Sequence, residues 1–275
     1  MHTKWRHRLL RFFLRGWPGI LPAFLLLSAC AHAPLFPQGG QWLDLTHDFS
    51  DKTLYWPTSK PFRLTTTHAG VTDKGFFYAA NNFCAAEHGG THIDAPIHFA
   101  ARGQFLDEVP LDQLIGPAVV IDVSLKALAD RDYRIGVAEL TAWEAQRGRL
   151  PQGSIVLFHT GYARFWPNAE QYLGTAERGQ AAVAKLHFPG LHPEAAEWLA
   201  SERRVRAVGL DTASIDYGQS GLFESHRVLA RHNIPIFENV TGLDRLPATG
   251  ALVFALPMKI ARGSGGPLRI VAWLP

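Results

Sequence analysis

Short apolar runs recur along the chain with the length and composition of buried β-strands. Pro117–Val123 and Ser154–Thr160 are rich in β-branched residues, which is typical of strands that are covered on both faces. Apolar and polar residues alternate at Trp42–Thr46, and this alternation predicts the opening strand. Similar patterns predict strands at five more places: Arg63–His68, Arg206–Asp211, Ile234–Val240, Ala251–Pro257 and Ile270–Trp273.

Helical patterns lie between these strands. Val137, Leu140 and Trp143 are spaced to form one buried face of a helix that continues through Thr141–Arg147. The alternation of strands and helices predicts an α/β fold with a partly parallel sheet. Further helical segments are predicted at His192–Ser201, from Ser225 onward, and, interrupted by loops, within the polar stretch Arg164–Lys185.

The N-terminal segment has the pattern of an export signal rather than of a folded domain. Residues 1–15 contain five basic residues and no acidic ones, and the apolar run Ile20–Leu27 precedes small residues. That run is too short to span a membrane comfortably as a helix. Leu27–Cys30 resembles a bacterial lipobox, which implies cleavage before Cys30, a lipid on its thiol and a position on the periplasmic face of the cell envelope. An ordinary signal peptide or a wrongly assigned start would give a similar pattern.

The predicted organisation is a lipoprotein signal peptide at 1–29, a tether rich in proline and glycine at 30–41, and one domain at 42–275. Loss of the signal changes the net charge from +3 to −2, because five of the 27 basic residues are removed and all 24 acidic residues stay. The charge therefore gives no support for nucleic-acid binding, and only the lipid anchor connects the domain to a membrane. Once Cys30 is lipidated, Cys84 is the one remaining thiol, and we expect a buried, apolar cysteine there.

The densest group of potential metal ligands lies in Glu87–Phe99, which reads E-H-G-G-T-H-I-D-A-P-I-H-F. Imidazole nitrogen and carboxylate oxygen are the usual ligands of Zn²⁺ and Mn²⁺. If the chain is extended between His92 and Asp94, both side chains point to the same side of the strand. The glycines after His88 let the backbone bend and bring a third ligand to them. The spacing of these three residues and His98 therefore predicts a metal site.

The same run resembles the H-x-G-T-H-x-D-x-P-x-H-F motif of the metal-dependent cyclase family, which includes bacterial kynurenine formamidase and isatin hydrolase. The resemblance extends from about Trp42 to Trp273, nearly all of the predicted domain. It implies a single domain with a swivelling β/β/α fold, in which a mixed sheet or barrel-like core is flanked by helices. It also implies a homodimer or a homotetramer.

The resemblance supplies a second group of ligands. His226 and Glu238, twelve residues apart, match the family's later ligand pair. By this resemblance His88, His92 and Asp94 hold one divalent metal. Asp94, His226 and Glu238 hold or bridge a second metal where two are bound.

The remaining candidate residues are assigned around these ligands. His98 lies outside both groups and is expected to act as the general acid and base. Trp56 is expected to stack on an aryl substrate, with a core tryptophan as the alternative. Asp211 and Asp216 match the family's G-x-D-T-x-S-x-D, and they are either catalytic or brace their loop.

The resemblance implies a hydrolase that cleaves the C–N bond of a cyclic or aryl amide with water activated by zinc or manganese. The long Arg164–Lys185 segment and the export signal favour an enzyme of the isatin hydrolase type over the compact formamidases. Two other classes are an inactive periplasmic binding or scaffold lipoprotein and a metal-storage or metal-sensing lipoprotein. They are less favoured because all six matched positions hold competent side chains, and because the ligands are not gathered in one exposed tract.

Overall fold

The computed structural model describes residues 39–275, and its strands carry the architecture. The predicted signal peptide, Cys30 and nearly all of the predicted tether lie outside the described residues and stay predictions. Twelve strands lie in the described part of the chain: β1 Gln41–Asp44, β2 Arg63–Val71, β3 Phe77–Cys84, β4 His92–Asp94, β5 Ile115–Asp122, β6 Arg134–Ile135, β7 Ile155–His159, β8 Gly190–Leu191, β9 Ala207–Leu210, β10 Ile236–Glu238, β11 Thr249–Pro257 and β12 Gly265–Leu274.

Seven of these strands close into a barrel. Their order is β12, β11, β5, β7, β9, β10 and β4, and β4 pairs back onto the start of β12. The pairings β5–β7, β7–β9 and β9–β10 are parallel, whereas the other pairings in the barrel are antiparallel. Strand β1 pairs with the other end of β12. The predicted mixed, barrel-like core in a single domain is confirmed, since the described residues form one compact unit.

The barrel strands are apolar on both faces because each face meets a different core. In β7, Ile155 and Leu157 point into the barrel, where they pack with residues of the other strands. Val156 and Phe158 point outward and pack against the surrounding helices. The strand predicted at Ser154–Thr160 is therefore covered on both faces, as the continuous apolar run indicated.

Helices cover the outside of the barrel. The predicted helix at Thr141–Arg147 is confirmed and buries Leu140 and Trp143. None of the helices in residues 39–275 has the length and apolar character needed to cross a membrane. The α-helices of this part are α1 Leu111–Leu114, α2 Ser124–Ala129, α3 Val137–Arg147, α4 Ala169–Leu173, α5 Gln180–Val183, α6 Pro193–Trp198 and α7 Glu224–Arg231, with a π turn at Leu199–Arg203 and short 3-10 turns at Pro96–His98, Leu106–Glu108, Tyr162–Phe165 and Leu243–Arg245.

Strands β2 and β3 form a separate two-stranded hairpin, residues 63–84, which we call the β2–β3 arm. Nearly all of its residues are exposed on both faces. The aromatic cluster in Phe76–Phe83 predicts either core or one wall of a pocket, and in the structure the segment is neither, because its aromatic side chains are exposed and line no part of the cavity described below. The expected burial of Cys84 is also wrong, because this residue lies at the exposed base of the arm. An apolar pattern identifies side chains whose burial would be favourable, but it does not identify the surface that would bury them.

Candidate active site

Two neighbouring strands place three predicted ligands on the outer face of the barrel. In β4, Ile93 points into the barrel, so His92 and Asp94 on either side of it point outward. Strand β10 runs antiparallel to β4, and Glu238 lies directly opposite His92. The side chains of His92, Asp94 and Glu238 therefore share one face, and all three are buried. The prediction that His92 and Asp94 lie on one side of a strand is confirmed.

His88 reaches the same face from the loop before β4. Gly90 has a φ of +60°, in the left-handed region, and a Cβ on Gly89 would overlap the ring of Tyr55. Both positions therefore favour glycine, as the sequence suggested. The bend brings Nδ1 of His88 to 2.6 Å from Oδ1 of Asp94.

The other side of the His88 ring contacts two residues that the sequence analysis missed. Nε2 of His88 lies 2.9 Å from Oγ of Ser264, which donates to Oε2 of Glu87 at 2.6 Å. In this arrangement the Ser264 oxygen accepts from Nε2–H, and Nδ1 keeps its lone pair for a metal. Glu87 directly precedes the motif, which was a usable signal. Ser264 is 176 residues away from His88, and no pattern connects them.

Helix α7 lies over this face and supplies His226. Nε2 of His226 is 3.0 Å from Oδ2 of Asp94 and 3.1 Å from Oε1 of Glu238. Its Nδ1 donates to Oδ2 of Asp216 at 2.7 Å, and the same carboxylate accepts the backbone N–H groups of Ser225 and His226. Asp216 therefore keeps the proton of the neutral imidazole on Nδ1, so that Nε2 can offer its lone pair to a metal that takes the place of a proton there.

The ligand atoms form two overlapping groups with Asp94 in both. His88, His92 and Asp94 form one, and Asp94, His226 and Glu238 form the other, with the ligand atoms of each group within 4.8 Å of one another. Nε2 of His92 is 3.2 Å from Oδ1 of Asp94, and its Nδ1 is 2.9 Å from the carbonyl oxygen of Gly90, to which it can donate. The two predicted ligand groups are thus brought together in space.

Burial and neighbouring groups shift the pKa values of Asp94, Glu238 and His226. Burial by itself would raise the pKa of Asp94, but His88 and hydrogen bonds from His226 and His92 hold it well below its usual range. Burial raises the pKa of Glu238, and the nearby charge of Asp94 raises it further. Burial would lower the pKa of His226, but its hydrogen bonds to Asp216, Asp94 and Glu238 raise it well above its usual value.

The residues fit a divalent metal. Two buried carboxylates, Asp94 and Glu238, face three imidazoles, and the second nitrogen of each imidazole is already engaged elsewhere. The cavity beside them is lined by no lysine or arginine from residues 39–275. Buried anions require a compensating cation, and a set of three imidazole nitrogens and two carboxylates suits Zn²⁺ or Mn²⁺.

His98 lies next to the ligands without belonging to either group. Its ring stacks on that of His88, with 3.8 Å between the ring centroids. Among the described residues no hydrogen bond engages either of its nitrogens. His98 is an exposed residue, yet desolvation by the groups packed around its ring lowers the pKa of His98 to about 4. The imidazole is therefore neutral near pH 7 and can accept a proton.

The ligands form the floor of a cavity of about 250 Å³ with largely aromatic walls. Trp56, Phe99 and Phe223 line it together with Tyr55. The ring of Trp56 is 6.1 Å from that of Phe223 and 6.4 Å from that of Phe188, between centroids. Trp56 is partly buried, so it contributes both to the packing and to the cavity wall. Phe99 ends the motif and was read only as part of it, whereas Phe223 carries no signal in the sequence.

Asp211 and Asp216 occupy the same loop but have different surroundings. Asp211 is fully buried and accepts from the N–H and Oγ–H of Thr160 and from the N–H of Gly161, so it braces the ends of β7 and β9. Asp216 contacts His226 as described above. His159, the last residue of β7, pairs with Asp122 at 3.2 Å and lies outside that cavity.

Comparisons with known proteins agree with this arrangement. The family described as putative cyclase matches residues 43–217. Isatin hydrolase from Roseibium aggregatum is 35% identical over 209 residues, covering 73% of this chain and 77% of that protein. Kynurenine formamidase from Paracidovorax citrulli is 35% identical over 195 residues, covering 68% and 76%. The structure of isatin hydrolase A from Ralstonia solanacearum superposes with a TM-score of 0.77 at 34% identity, covering 86% of this chain and 92% of that one.

Proposed function

The chain belongs to the cyclase family of metal-dependent hydrolases, and on that premise we propose that it hydrolyses the C–N bond of a cyclic or aryl amide. One observation carries the proposal. Asp94 is shared by two groups of metal-ligating side chains at the floor of a cavity with aromatic walls. This combination places the ligands for a Lewis acid beside a surface that suits a flat, apolar substrate.

Two sets of side chains would hold metal. His88, His92 and Asp94 would hold one Zn²⁺ or Mn²⁺, and Asp94, His226 and Glu238 would hold or share a second. When bound, such a metal supplies activation of water and polarisation of the amide carbonyl.

We assign the proton transfers to His98. Its ring is neutral near pH 7, borders the cavity and is free of hydrogen bonds within residues 39–275. It can accept a proton from the attacking water and return it to the amide nitrogen as the C–N bond breaks. Carbon then carries the new oxygen as a carboxylic acid, which releases its proton to solvent to become a carboxylate, and nitrogen becomes an amine, which stays attached where the amide was cyclic. A positioned acid and base of this kind contributes about 10²–10⁴-fold.

The aromatic wall supports an aryl substrate. The exposed part of the Trp56 ring borders the cavity, and Phe223 lies beside it. Isatin hydrolase acts on a cyclic amide, and kynurenine formamidase acts on an open formamide. Both compounds contain a benzene ring. The Arg164–Lys185 segment, which forms its own small apolar cluster with Trp56 and Phe188, favours the isatin hydrolase type.

An inactive binding or scaffold protein of the same fold is the alternative. It predicts that at least one ligand or catalytic position has been lost or displaced. In this chain all six positions carry competent side chains, and the five ligands converge. The hydrolase is therefore the stronger proposal.

The cellular setting and the assembly complete the proposal. The basic and apolar N-terminal segment with Cys30 supports export and a lipid anchor at the periplasmic face of the cell envelope. The family resemblance supports a homodimer or homotetramer.

The test is hydrolysis by the chain from Ala31 onward, which retains the compact unit. The protein is stripped of metal, given Zn²⁺ or Mn²⁺ separately, and offered isatin and N-formylkynurenine in parallel. We expect turnover only with metal, and the preferred compound identifies the substrate type. His98→Ala should lose about 10²–10⁴-fold in kcat while binding as much metal as the parent.

Two results would contradict the proposal. Failure of the parent to bind either metal would remove the ligand assignment. Metal-independent turnover, or full activity in both His98→Ala and the size-matched His98→Gln, would remove the mechanism.

A further inference from the structure

Asn239 lies directly after the proposed ligand Glu238 but is not itself one of the ligands. It follows the end of β10 and is 3% exposed. Its backbone φ is +53°, in the left-handed region that residues other than glycine seldom adopt. Backbone conformations of this kind have a cost and often lie beside functional sites, so the contacts of the side chain are informative.

Every polar group of Asn239 has a partner. Its backbone N–H donates to the carbonyl of Thr212 at 2.9 Å, and its backbone carbonyl accepts from the hydroxyl of Thr91 at 2.6 Å. In the side chain, Nδ2 donates to the carbonyl oxygen of Gly90 at 2.7 Å, and Oδ1 accepts from the hydroxyl of Tyr172 at 2.9 Å. Asn239 therefore joins the segment before β4 to the loop after β9 and to helix α4.

The carbonyl oxygen of Gly90 is the point where Asn239 meets a proposed ligand. The same oxygen accepts from Nδ1–H of His92 at 2.9 Å, so it serves both the ligand and Asn239. Nδ2 of Asn239 and Nδ1 of His92 lie 3.5 Å apart, as two donors to one acceptor do. The acceptor that orients His92 is thus held in place by the side chain of Asn239.

The orientation of the Asn239 amide follows from its neighbours. The reverse orientation would place Oδ1 against the carbonyl oxygen of Gly90, so that two acceptors would face each other. Tyr172 contacts the other side of the amide, and its hydroxyl also lies 3.1 Å from the carbonyl oxygen of Asp211. Burial raises the pKa of Tyr172 well above its usual value, so the hydroxyl keeps its proton and acts as a donor. The amide therefore has one favourable orientation, with its NH₂ group toward Gly90.

We propose that Asn239, oriented by Tyr172, is a positioning residue for His92. By holding the carbonyl of Gly90, it fixes the acceptor of Nδ1–H and directs Nε2 of His92 toward Oδ1 of Asp94, 3.2 Å away. An imidazole whose second nitrogen is held in this way has its tautomer and direction set before a metal binds. The inference rests on the proposed metal site and adds to it a residue that contacts no metal.

Asn233 provides a matched control. It is also an asparagine in the left-handed region, with a φ of +52°. Its Oδ1 accepts from the N–H of Gln104 at 3.1 Å, and its carbonyl accepts from Nε2 of Gln113 at 2.8 Å. None of these residues is a proposed ligand. Glycine adopts the left-handed conformation readily, so replacement by glycine at position 233 or 239 removes the side chain without straining the backbone.

The test measures metal binding rather than turnover. The metal-free chain from Ala31 onward is compared with its Asn239→Gly, Asn233→Gly and Tyr172→Phe variants. Competition with a chromogenic chelator gives the affinity for Zn²⁺, and the visible absorption of bound Co²⁺ reports the geometry of the ligands. Far-UV circular dichroism measures whether each variant is folded. Tyr172→Phe keeps the buried ring and removes only the hydroxyl, so it replaces Asn239→Gly in the comparison if that variant does not fold.

We expect Asn239→Gly to weaken the binding of one Zn²⁺ about 10–100-fold, the usual effect of losing a partner behind a ligand, and to change the Co²⁺ spectrum. Tyr172→Phe should show a smaller loss in the same direction, and Asn233→Gly should bind both metals as the parent does. A purely structural role would lower stability but leave the Co²⁺ spectrum of the folded protein unchanged.

Three results would overturn the proposal. The first is the parent's affinity and spectrum in Asn239→Gly, or in Tyr172→Phe where Asn239→Gly does not fold. The second is an equal loss of affinity in Asn239→Gly and Asn233→Gly. The third is a parent that binds no metal, which would remove the ligand assignment as well. Metal binding by the parent without hydrolysis of either amide would contradict the proposed hydrolase alone, because the comparison of the variants does not depend on turnover.

Discussion

Replacement of Asp216 by asparagine should weaken metal binding, although Asp216 is not a proposed ligand. Oδ2 of Asp216 accepts from Nδ1–H of His226 at 2.7 Å and from its backbone N–H at 3.1 Å, and Oδ1 accepts from the N–H of Ser225 at 2.9 Å. All three partners are donors. Asparagine offers one oxygen and one NH₂ group in the same space, so one of these donors must lose its acceptor.

Each orientation of the new amide has a defined cost. With NH₂ toward His226, the ring must move its proton to Nε2, and the lone pair that faces Asp94 and Glu238 is lost. With NH₂ toward Ser225, a buried N–H is left without an acceptor, which costs about 1–3 kcal/mol of folding free energy. In that orientation the amide is also neutral, so it no longer raises the basicity of the His226 imidazole as the carboxylate of Asp216 does. Loss of such a partner typically weakens metal affinity by about 10–100-fold.

Asp211→Asn is the matched control, because it makes the same chemical change five positions earlier. Asp211 accepts from Thr160 and Gly161 and contacts no proposed ligand. The change should lower the free energy of unfolding by about 1–3 kcal/mol and leave metal affinity unchanged. The assay is competition for Zn²⁺ with a chromogenic chelator, together with denaturant unfolding of the metal-free proteins. If Asp216→Asn binds Zn²⁺ as tightly as the parent, or if Asp211→Asn weakens it equally, the positioning role assigned to Asp216 is wrong.

Three further outcomes are expected. Burial lowers the pKa of His47 to about 4, although Asp48 opposes the shift, so the unfolded chain binds more protons between pH 6.5 and about 4. The free energy of unfolding should fall as the pH drops through that window, by at most roughly 3 kcal/mol, and His47→Phe should remove that part of the slope in denaturant titrations. Trp56→Ala should raise KM about tenfold with little change in kcat, and Trp56→Phe should restore most of it in steady-state kinetics. Glu238→Gln should remove metal from the group of Asp94, His226 and Glu238 only, which elemental analysis would detect as a lower metal content in a folded protein.

The barrel strands and the local part of the site could be predicted from the sequence because both depend on short-range periodicity. The two-residue repeat places His92 and Asp94 on one face wherever β4 lies in the sheet. The opposition of Glu238 to His92 could not be derived that way, since it depends on the pairing of two strands 146 residues apart. The family resemblance supplied that residue, and the register explains its position. The glycine-rich segment of Ser264 resembles the end of the family's sequences, but neither it nor Phe223 carries a pattern that points to the ligands, and only the folded chain brings them to the site.

The β2–β3 arm is the opposite case, in which a correct local pattern led to a wrong environment. Phe77 and Phe83 alternate as buried strand residues do, and the strand is present. Their burial depends on a surface that no periodicity specifies. Asp211 and Asp216 differ for the same reason. Their residue type and loop are identical, but one carboxylate meets donors of Thr160 and Gly161, just after β7, and the other meets His226.

The shared position of Asp94 makes the two ligand groups parts of one unit. Its Oδ1 faces His88 and His92, while its Oδ2 faces His226, so a shift of this carboxylate toward one group withdraws it from the other. The second ring nitrogen of each neighbouring imidazole is hydrogen-bonded to a different part of the chain. His88 bonds to Ser264, just before β12, His92 to the carbonyl of Gly90, and His226 to Asp216, after β9. Since metal affinity depends on the orientation of each ring, it also depends on the correct closure of the barrel around β4. Metal binding and the stability of that closure should therefore be coupled, even though every proposed ligand lies on the outer face of the barrel.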